Sequence, residues 1–482
     1  MNYRMMGSII GKVLLGEAAL MLLPLVTALI CREPIVPFLA AIAIAAAVGG
    51  ILQIRKHKTD NIYAREGFVA VGLSWIVLSL VGAVPFTVSG EIPNYYNALF
   101  ETVSGFTTTG ATQLTNYDLM NRILMLWRVF TQWIGGMGVM IFILAVVPMS
   151  GGHNMHIMRA EVPGPVVGKL APRAKKSAKI LYRIYIALTI LEVIFLLCGG
   201  MNFYDALIHS FATAGTGGFS NHLTSIGHYN SVYIDIVVAV FMMLFGINFQ
   251  IFFLIIAKKM KDVLRSDELR IYLIIIAFAT VTIAINLLSV FGNFFEALRY
   301  AFFQMTAMIS TTAFATTNYD LWPQYSRWIL LLLMLCGGCA GSTAGGLKVS
   351  RLIIMVRSIF CETKKLINPK KVNRVWLEGK KVEETTIREV NTYFVLYIMI
   401  IAASTMILAT NGKDMLTNFT ASVACITNIG PGFGEIVGPI GNYASFSWIS
   451  KAVLMMDMLI GRLEIYPMIF MCTPAVWKKR YL

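Results

Sequence analysis

Ten apolar runs of about 20 residues, the length that carries a helix across a bilayer, leave this chain few folds. They lie at 8–30, 34–54, 67–88, 122–148, 180–200, 231–257, 271–292, 326–348, 391–410 and 446–473. The pattern predicts an all-α polytopic membrane protein with ten transmembrane helices. Only 13% of the 482 residues are charged, against about 25% in a soluble domain. The run after Arg4 lacks the short apolar region and small-residue site of a cleaved signal, so it reads as a span. Seven scattered cysteines read as small buried residues rather than a disulfide framework. The CGGC at 336–339 lacks the soluble βαβ setting of a redox motif.

Lys and Arg outnumber Asp and Glu by 40 to 25. In a soluble protein that excess would suggest nucleic acid. Here the basic residues gather between apolar runs, at 54–67, 159–179, 258–270 and 348–388, and in the terminal WKKRYL. The positive-inside rule puts these segments and both termini in the cytoplasm. The stretch 348–388 carries Arg351, Arg357, Lys364, Lys365, Lys370, Lys371, Arg374, Lys380, Lys381 and Arg388. It suits attraction to anionic lipid and docking of an acidic or nucleotide-binding regulatory ring equally well.

The remaining connections contain apolar segments too short to cross, at 94–106, 203–213, 294–310 and 414–426. Each ends in a polar strip: FTTTGAT (106–112), FATAGTGG (211–218), STTAFAT (310–316) and CITNIGPG (425–432). The pivots are read at Gly110, Gly215, Ala313 and Gly430, with separations of 105, 98 and 117. A unit of span, half-helix, strip and span thus recurs four times after two N-terminal spans. The expected divisions are 1–66 for the N-terminal pair, then 67–158, 159–265, 266–388 and 389–482.

Irregular backbone at membrane depth is tolerated where it is buried in protein or lines water. Four such strips fit together around one axis, with freed carbonyls facing something that wants oxygen ligands. Half-helices entering from outside aim their C-terminal ends, each about half a negative charge, at that axis. A cation suits both features. A carbonyl ring that replaces an ion's water shell is the device of potassium filters.

The motifs SGFTTTGAT, FATAGTGGFS, CGGCAGSTAGGLKVSRL and GRLEIYP resemble those of the Trk/Ktr/HKT superfamily of potassium transporters, and the likeness runs the length of the chain. The resemblance implies one central pore for potassium, with rubidium and sodium as candidate companions, in a bacterial inner membrane. It implies a homodimer with a cytoplasmic ring of NAD- or ATP-binding regulatory subunits, and no organic cofactor in this chain. Carried over position by position, the ion ligands would be Thr108, Thr109 and Gly110; Thr213, Ala214 and Gly215; Thr311 and Thr312, with Ala313 at the pivot; and Asn428, Ile429 and Gly430. Ala313 departs from the family's Gly, and a Cβ resists positive φ.

The run at 331–352 starts as a span and dissolves into Gly337, Gly338, Gly341, Gly345 and Gly346. Tight helix packing through small residues is one explanation. A broken inner helix forming a flexible gate under the filter is the favoured one, and the family has such a loop here. GSTAGGLK nearly spells a phosphate loop, but Lys348 is one residue too far and no strand precedes it. Arg462 falls inside the last run, where an unpartnered charge is costly. Asp457 and Glu464, five residues before and two after, are poorly spaced to pair with it. It resembles the family's pore arginine, facing the cavity inside the filter. Arg128, Glu192 and Asp235 are expected only in helix–helix pairs, and His153 and His156 in a solvated loop. A secondary solute transporter with broken midplane helices is the alternative. A membrane enzyme ranks last, because no acid–base or nucleophile set lies at matched depth.

Overall fold

The computed structural model describes residues 3–54, 64–138, 174–370 and 373–477. The elements in order are α1 (Tyr3–Leu20), α2 (Leu22–Cys31), α3 (Val36–Ile54), α4 (Ala64–Gly82), α5 (Val84–Val88), α6 (Tyr95–Phe106) and α7 (Arg122–Gly136). Then come α8 (Ala174–Cys198), α9 (Phe203–Gly215), α10 (Val232–Phe245), α11 (Phe249–Ile256), α12 (Met260–Leu264), α13 (Asp267–Phe291), α14 (Phe294–Ile309) and α15 (Gln324–Cys336). The chain ends with α16 (Val349–Ile367), the hairpin β1 (Trp376–Leu377) and β2 (Lys380–Lys381), α17 (Glu384–Leu408), α18 (Met415–Ile426), α19 (Trp448–Leu463), α20 (Tyr466–Cys472) and α21 (Pro474–Trp477).

Among the described residues, six helical segments are long and apolar enough to cross a membrane. A seventh is added if α10 and α11, bent by 92°, count as one span. The expected tally of ten is therefore not reached by unbroken helices. Three of the missing runs are interrupted. α7 ends at Gly136 and its run continues beyond the described residues; α15 stops at Cys336; α19 stops where Glu464 and Ile465 take φ of 61° and 58°. The Gly cluster at 337–346 anticipates the stop after α15; elsewhere an apolar run registers composition but not a backbone break inside it. Such a break is tolerated here because its polar groups are buried against protein. The segments around 153–156 and 159–173 lie outside the described residues.

Eight short helices close a ring. In sequence order α6, α7, α9, α10, α14, α15, α18 and α19 each pack on the next, and α19 packs back on α6. Each of α6, α9, α14 and α18 is therefore flanked by two helices that leave the ring's centre. The long helices α4, α8, α13 and α17 back them from outside, while α1, α2 and α3 pack against α4, α5 and α7. The four half-helices run 12 to 16 residues, too short to cross.

Each half-helix starts on a side-chain cap. Asn94 accepts from the Tyr96 N–H, Asn202 from Asp205, Asn293 from Phe295 and Asp414 from Thr417. Such caps contribute about 1 kcal/mol each. The Thr417 hydroxyl also holds the Asp414 carboxyl below its ordinary value, which keeps that cap ionised. From their second turns the half-helices are buried almost residue by residue, as expected of helices surrounded by protein rather than lipid.

Candidate functional site

All four half-helices end alike. Thr108, Thr216, Thr311 and Asn428 take φ of 55°, 55°, 57° and 56°. Their N–H groups bond back to Gly105, Thr213, Met308 and Cys425, and those of the following residues to Ser104, Ala212, Ala307 and Ala424. This is the Schellman pattern, which normally ends on Gly. A left-handed non-Gly residue costs about 1–2 kcal/mol, so the shape is held by its surroundings. Two residues on, φ is positive again: 80° at Gly110, 70° at Gly218, 55° at Ala313 and 92° at Gly430.

This repeated pair corrects the register of the second strip. Thr213, Ala214 and Gly215 are the last residues of α9, and the break falls at Thr216, Gly217 and Gly218. The sequence holds three Gly within four residues, and spacing alone favours the first. Helical packing decides otherwise, because Gly215 sits against α7, where a Cβ would stand 2.4 Å from the Gln132 carbonyl oxygen. In the other three strips the second positive φ falls at Gly110, Ala313 and Gly430. Ala313 accepts the left-handed backbone with its Cβ in place.

The strips meet in cyclic order. A Cβ on Gly218 would stand 1.8 Å from the Thr312 carbonyl oxygen, joining second and third strips. Asn428 donates from Nδ2 to Thr109 Oγ1 at 3.0 Å, joining fourth and first. Gly110 and Gly217 lie backbone to backbone, joining first and second. Between third and fourth, Tyr319 Oη donates to the Gly432 carbonyl at 3.1 Å and the Gly434 N–H to Asp320 Oδ2 at 2.9 Å.

Thr108, Thr109, Thr216, Thr311, Thr312, Asn428 and Ile429 are fully buried. Yet among the described residues no N–H or O–H reaches their carbonyl oxygens. Buried carbonyls are nearly always paired, and a set of exceptions at one place requires an explanation. Several of the hydroxyls nearby turn to each other or to backbone: Thr107 Oγ1 lies 2.8 Å from Thr109 Oγ1, Ser310 Oγ 2.8 Å from Thr312 Oγ1, and Thr311 Oγ1 accepts from the Gly345 N–H at 2.7 Å, whereas Thr108 Oγ1 is buried without a partner among the described residues. The site therefore offers mainly backbone oxygens, with the Thr108 hydroxyl beside them. Among the described residues no group of three or more His, Cys, Asp or Glu could hold a metal ion.

Several braces were not singled out in the sequence. Gln132 donates from Nε2 to the Gly217 carbonyl at 2.6 Å and accepts from the Phe219 N–H at 3.1 Å. Arg128, expected only in some helix pair, meets Glu101 at 2.6 Å, donates to the Ser220 carbonyl at 3.3 Å and lies over the Phe219 ring. Glu101 also accepts from Thr112 Oγ1 at 2.9 Å and the Gln113 N–H at 3.0 Å, so one buried pair ties the first strip to the second. Asp235 pairs with Arg299 at 3.2 Å across α10 and α14; Glu192 is buried on α8. A polar residue in an apolar run was the available signal, but it did not name the partner.

Below the strips, residues 337–348 form a non-helical loop between α15 and α16. Gly337, Gly341, Gly346 and Lys348 have positive φ, while Gly338 and Gly345 are packed too closely for a Cβ, the latter 2.2 Å from the Thr427 carbonyl oxygen. Lys348 is buried with its ammonium on the Ala344 carbonyl. Glu268 Oε1 accepts the N–H groups of Ala340 at 2.7 Å and Ser350 at 3.1 Å. Arg462 donates to the Thr343 carbonyl at 2.8 Å, to Gly136 at 2.7 Å and to Gly135. The two carboxylates weighed for it have other partners: Asp457 accepts from Ser404 and Ser422, and Glu464 pairs with Arg351. Cys336 and Cys339 are free thiols.

A helical membrane protein whose short half-helices converge on buried, donor-free backbone carbonyls fits the class of cation transport proteins. The chain is a member of the TrkH family of cation transport proteins, which it matches over residues 35–479. It is 35% identical to the Trk system potassium uptake protein TrkH of Escherichia coli, over 99% of this chain and all of that one. It is 32% identical to TrkG of the same organism, over 95% of each. The crystal structure of the potassium transporter TrkH from Vibrio parahaemolyticus superposes with a TM-score of 0.89 at 30% identity, covering 99% of this chain and 100% of that one.

Proposed function

We propose that the protein takes up potassium across the bacterial inner membrane through a selectivity filter built from its four strips. The carrying observation is the set of donor-free buried carbonyls on Thr108, Thr109, Thr216, Thr311, Thr312, Asn428 and Ile429. Oxygens from four sides replace the water of a monovalent cation, and the four converging helix C-termini favour its charge. Gly110, Gly218, Ala313 and Gly430 let the backbone turn. The second strip contributes Thr216 to Gly218 in place of Thr213 to Gly215. The four units at 67–158, 159–265, 266–388 and 389–482 each supply one quarter, and 1–66 packs outside them. The full-length likeness to potassium uptake proteins supports the choice of ion.

The loop from Gly337 to Lys348 acts as the gate, and Arg462 holds it across the passage. Its bonds to Gly135, Gly136 and Thr343 support that role. The membrane potential drives entry. Both termini face the cytoplasm, and the chain works as a homodimer whose basic cytoplasmic stretch meets a nucleotide-binding regulatory ring. A solute transporter of the broken-helix type would aim helix N-termini at an anionic group, whereas C-termini face the strips here. Rubidium uptake into vesicles under an imposed potential tests the proposal. Rubidium entry that competes with potassium and exceeds sodium entry is expected. No entry, or equal entry of sodium, overturns it.

A further inference from the structure

Between α16 and α17, beside the hairpin, lies a cavity of about 890 Å³. One face of α17 lines it with Arg388, Asn391, Thr392, Val395 and Leu396, positions that share a helical face. Along that face the chemistry runs from a cation through an amide and a hydroxyl to aliphatic side chains, over about two turns. The cationic end is completed by Arg374 and Lys381. Among the described residues, Arg374, Lys381 and Arg388 have no carboxylate within ion-pair distance, whereas Lys365 at the same rim is matched by Glu362 at 2.7 Å. Glu384 is the other acid on the rim. At the aliphatic end Val395 is 56% exposed.

We propose that this cavity binds one anionic phospholipid, its phosphate among Arg374, Lys381 and Arg388 and an acyl chain along Val395 and Leu396. A cationic mouth above an apolar slot, at the point where a span leaves its hydrocarbon stretch, matches that ligand. A zwitterionic lipid brings its own ammonium and gains less from three cations. α16 begins at Val349, directly after the 337–348 loop. A lipid bridging α16 and α17 therefore steadies the inner end of that loop. The site rests on the chain's membrane setting, and neither on the transported ion nor on a regulatory subunit.

Native mass spectrometry of the full-length protein, titrated with phosphatidylglycerol and phosphatidylcholine of equal chain length, tests this. Wild type is expected to retain phosphatidylglycerol in preference. Arg374→Gln with Arg388→Gln, both exposed positions, weakens that retention on the order of tenfold, since each basic group at a membrane surface contributes a few-fold. The exposed pair Lys258→Gln with Lys259→Gln removes the same charge elsewhere and leaves retention unchanged. Inorganic phosphate at the lipid's concentration does not displace it. Equal retention of both lipids, wild-type retention by the first double variant, equal weakening by the control pair, or displacement by phosphate overturns the proposal.

Discussion

Arg462 and Thr343 are joined at 2.8 Å, guanidinium to carbonyl, and the same guanidinium reaches Gly136 at 2.7 Å. One side chain on α19 thus clips the 337–348 loop to the inner end of α7. Each hydrogen bond from a charged donor is worth about 1.5–3 kcal/mol. A shift of about 1.4 kcal/mol in a closed–open balance changes it tenfold. Arg462→Met should therefore raise basal rubidium flux of the purified protein at least about tenfold, while Arg462→Lys, which keeps a donor, has a smaller effect. Vesicle flux without cytoplasmic factors measures this. Unchanged flux in the Met variant would show that the clip does not hold the gate.

Glu268 ties the same loop at Ala340 to the first turn of α16 at Ser350. Glu268→Ala strands two buried N–H groups, at about 1–3 kcal/mol each. Hydrogen exchange at 340–350 should accelerate about tenfold or more by the same free-energy scale. The strips at 108–110 and 428–430 should keep their protection. Faster exchange everywhere would mean global destabilisation, and no change would remove Glu268 from the account.

Gly218 and Ala313 occupy matching places with opposite tolerance. Gly218→Ala drives a Cβ toward the Thr312 carbonyl oxygen, 1.8 Å from its ideal position. Loss of rubidium-over-sodium preference by about tenfold or more is expected, about the change that 1.4 kcal/mol makes. Ala313→Gly only relaxes a left-handed residue and should alter preference by less than about twofold. Competition between the two ions in vesicle uptake reads both. Equal behaviour of the two variants would contradict the corrected register.

Glu101 and Arg128 are buried against each other at 2.6 Å. Removing one partner of such a pair costs about 3–5 kcal/mol, while replacing both with apolar groups costs much less. Thermal unfolding of Glu101→Met should fall well below wild type, and Glu101→Met with Arg128→Met should recover part of the loss. Additive losses in the double variant would refute the coupling.

Much of the fold was legible in the chain, as were the places where three of the four strips turn. A 20-residue apolar run has one inexpensive solution in lipid, so the helices at 36–54, 267–291 and 384–408 stand close to where composition puts them. Four strips after four short apolar segments are also local features. Thr108, Thr311 and Asn428 could be read there because each helix ends where hydrophobicity stops. A further signal went unused: Asn94, Asn202, Asn293 and Asp414 cap the four half-helices in the same way.

What remained hidden was set by contacts between distant segments. Whether Gly215 or Gly218 turns the second strip depends on Gln132 and Thr312, which lie far from it in the chain. The Gly cluster signals the break in the run at 326–348 but not its braces from Glu268 and Arg462, and the break in the run at 446–473, where Arg351 holds Glu464, has no local signal. Hydropathy determines which segments leave water, because that depends on each residue's own transfer energy. Which backbone groups may then go without a helical partner is decided only by the tertiary structure, because a buried carbonyl must find its donor, or its ion, in space.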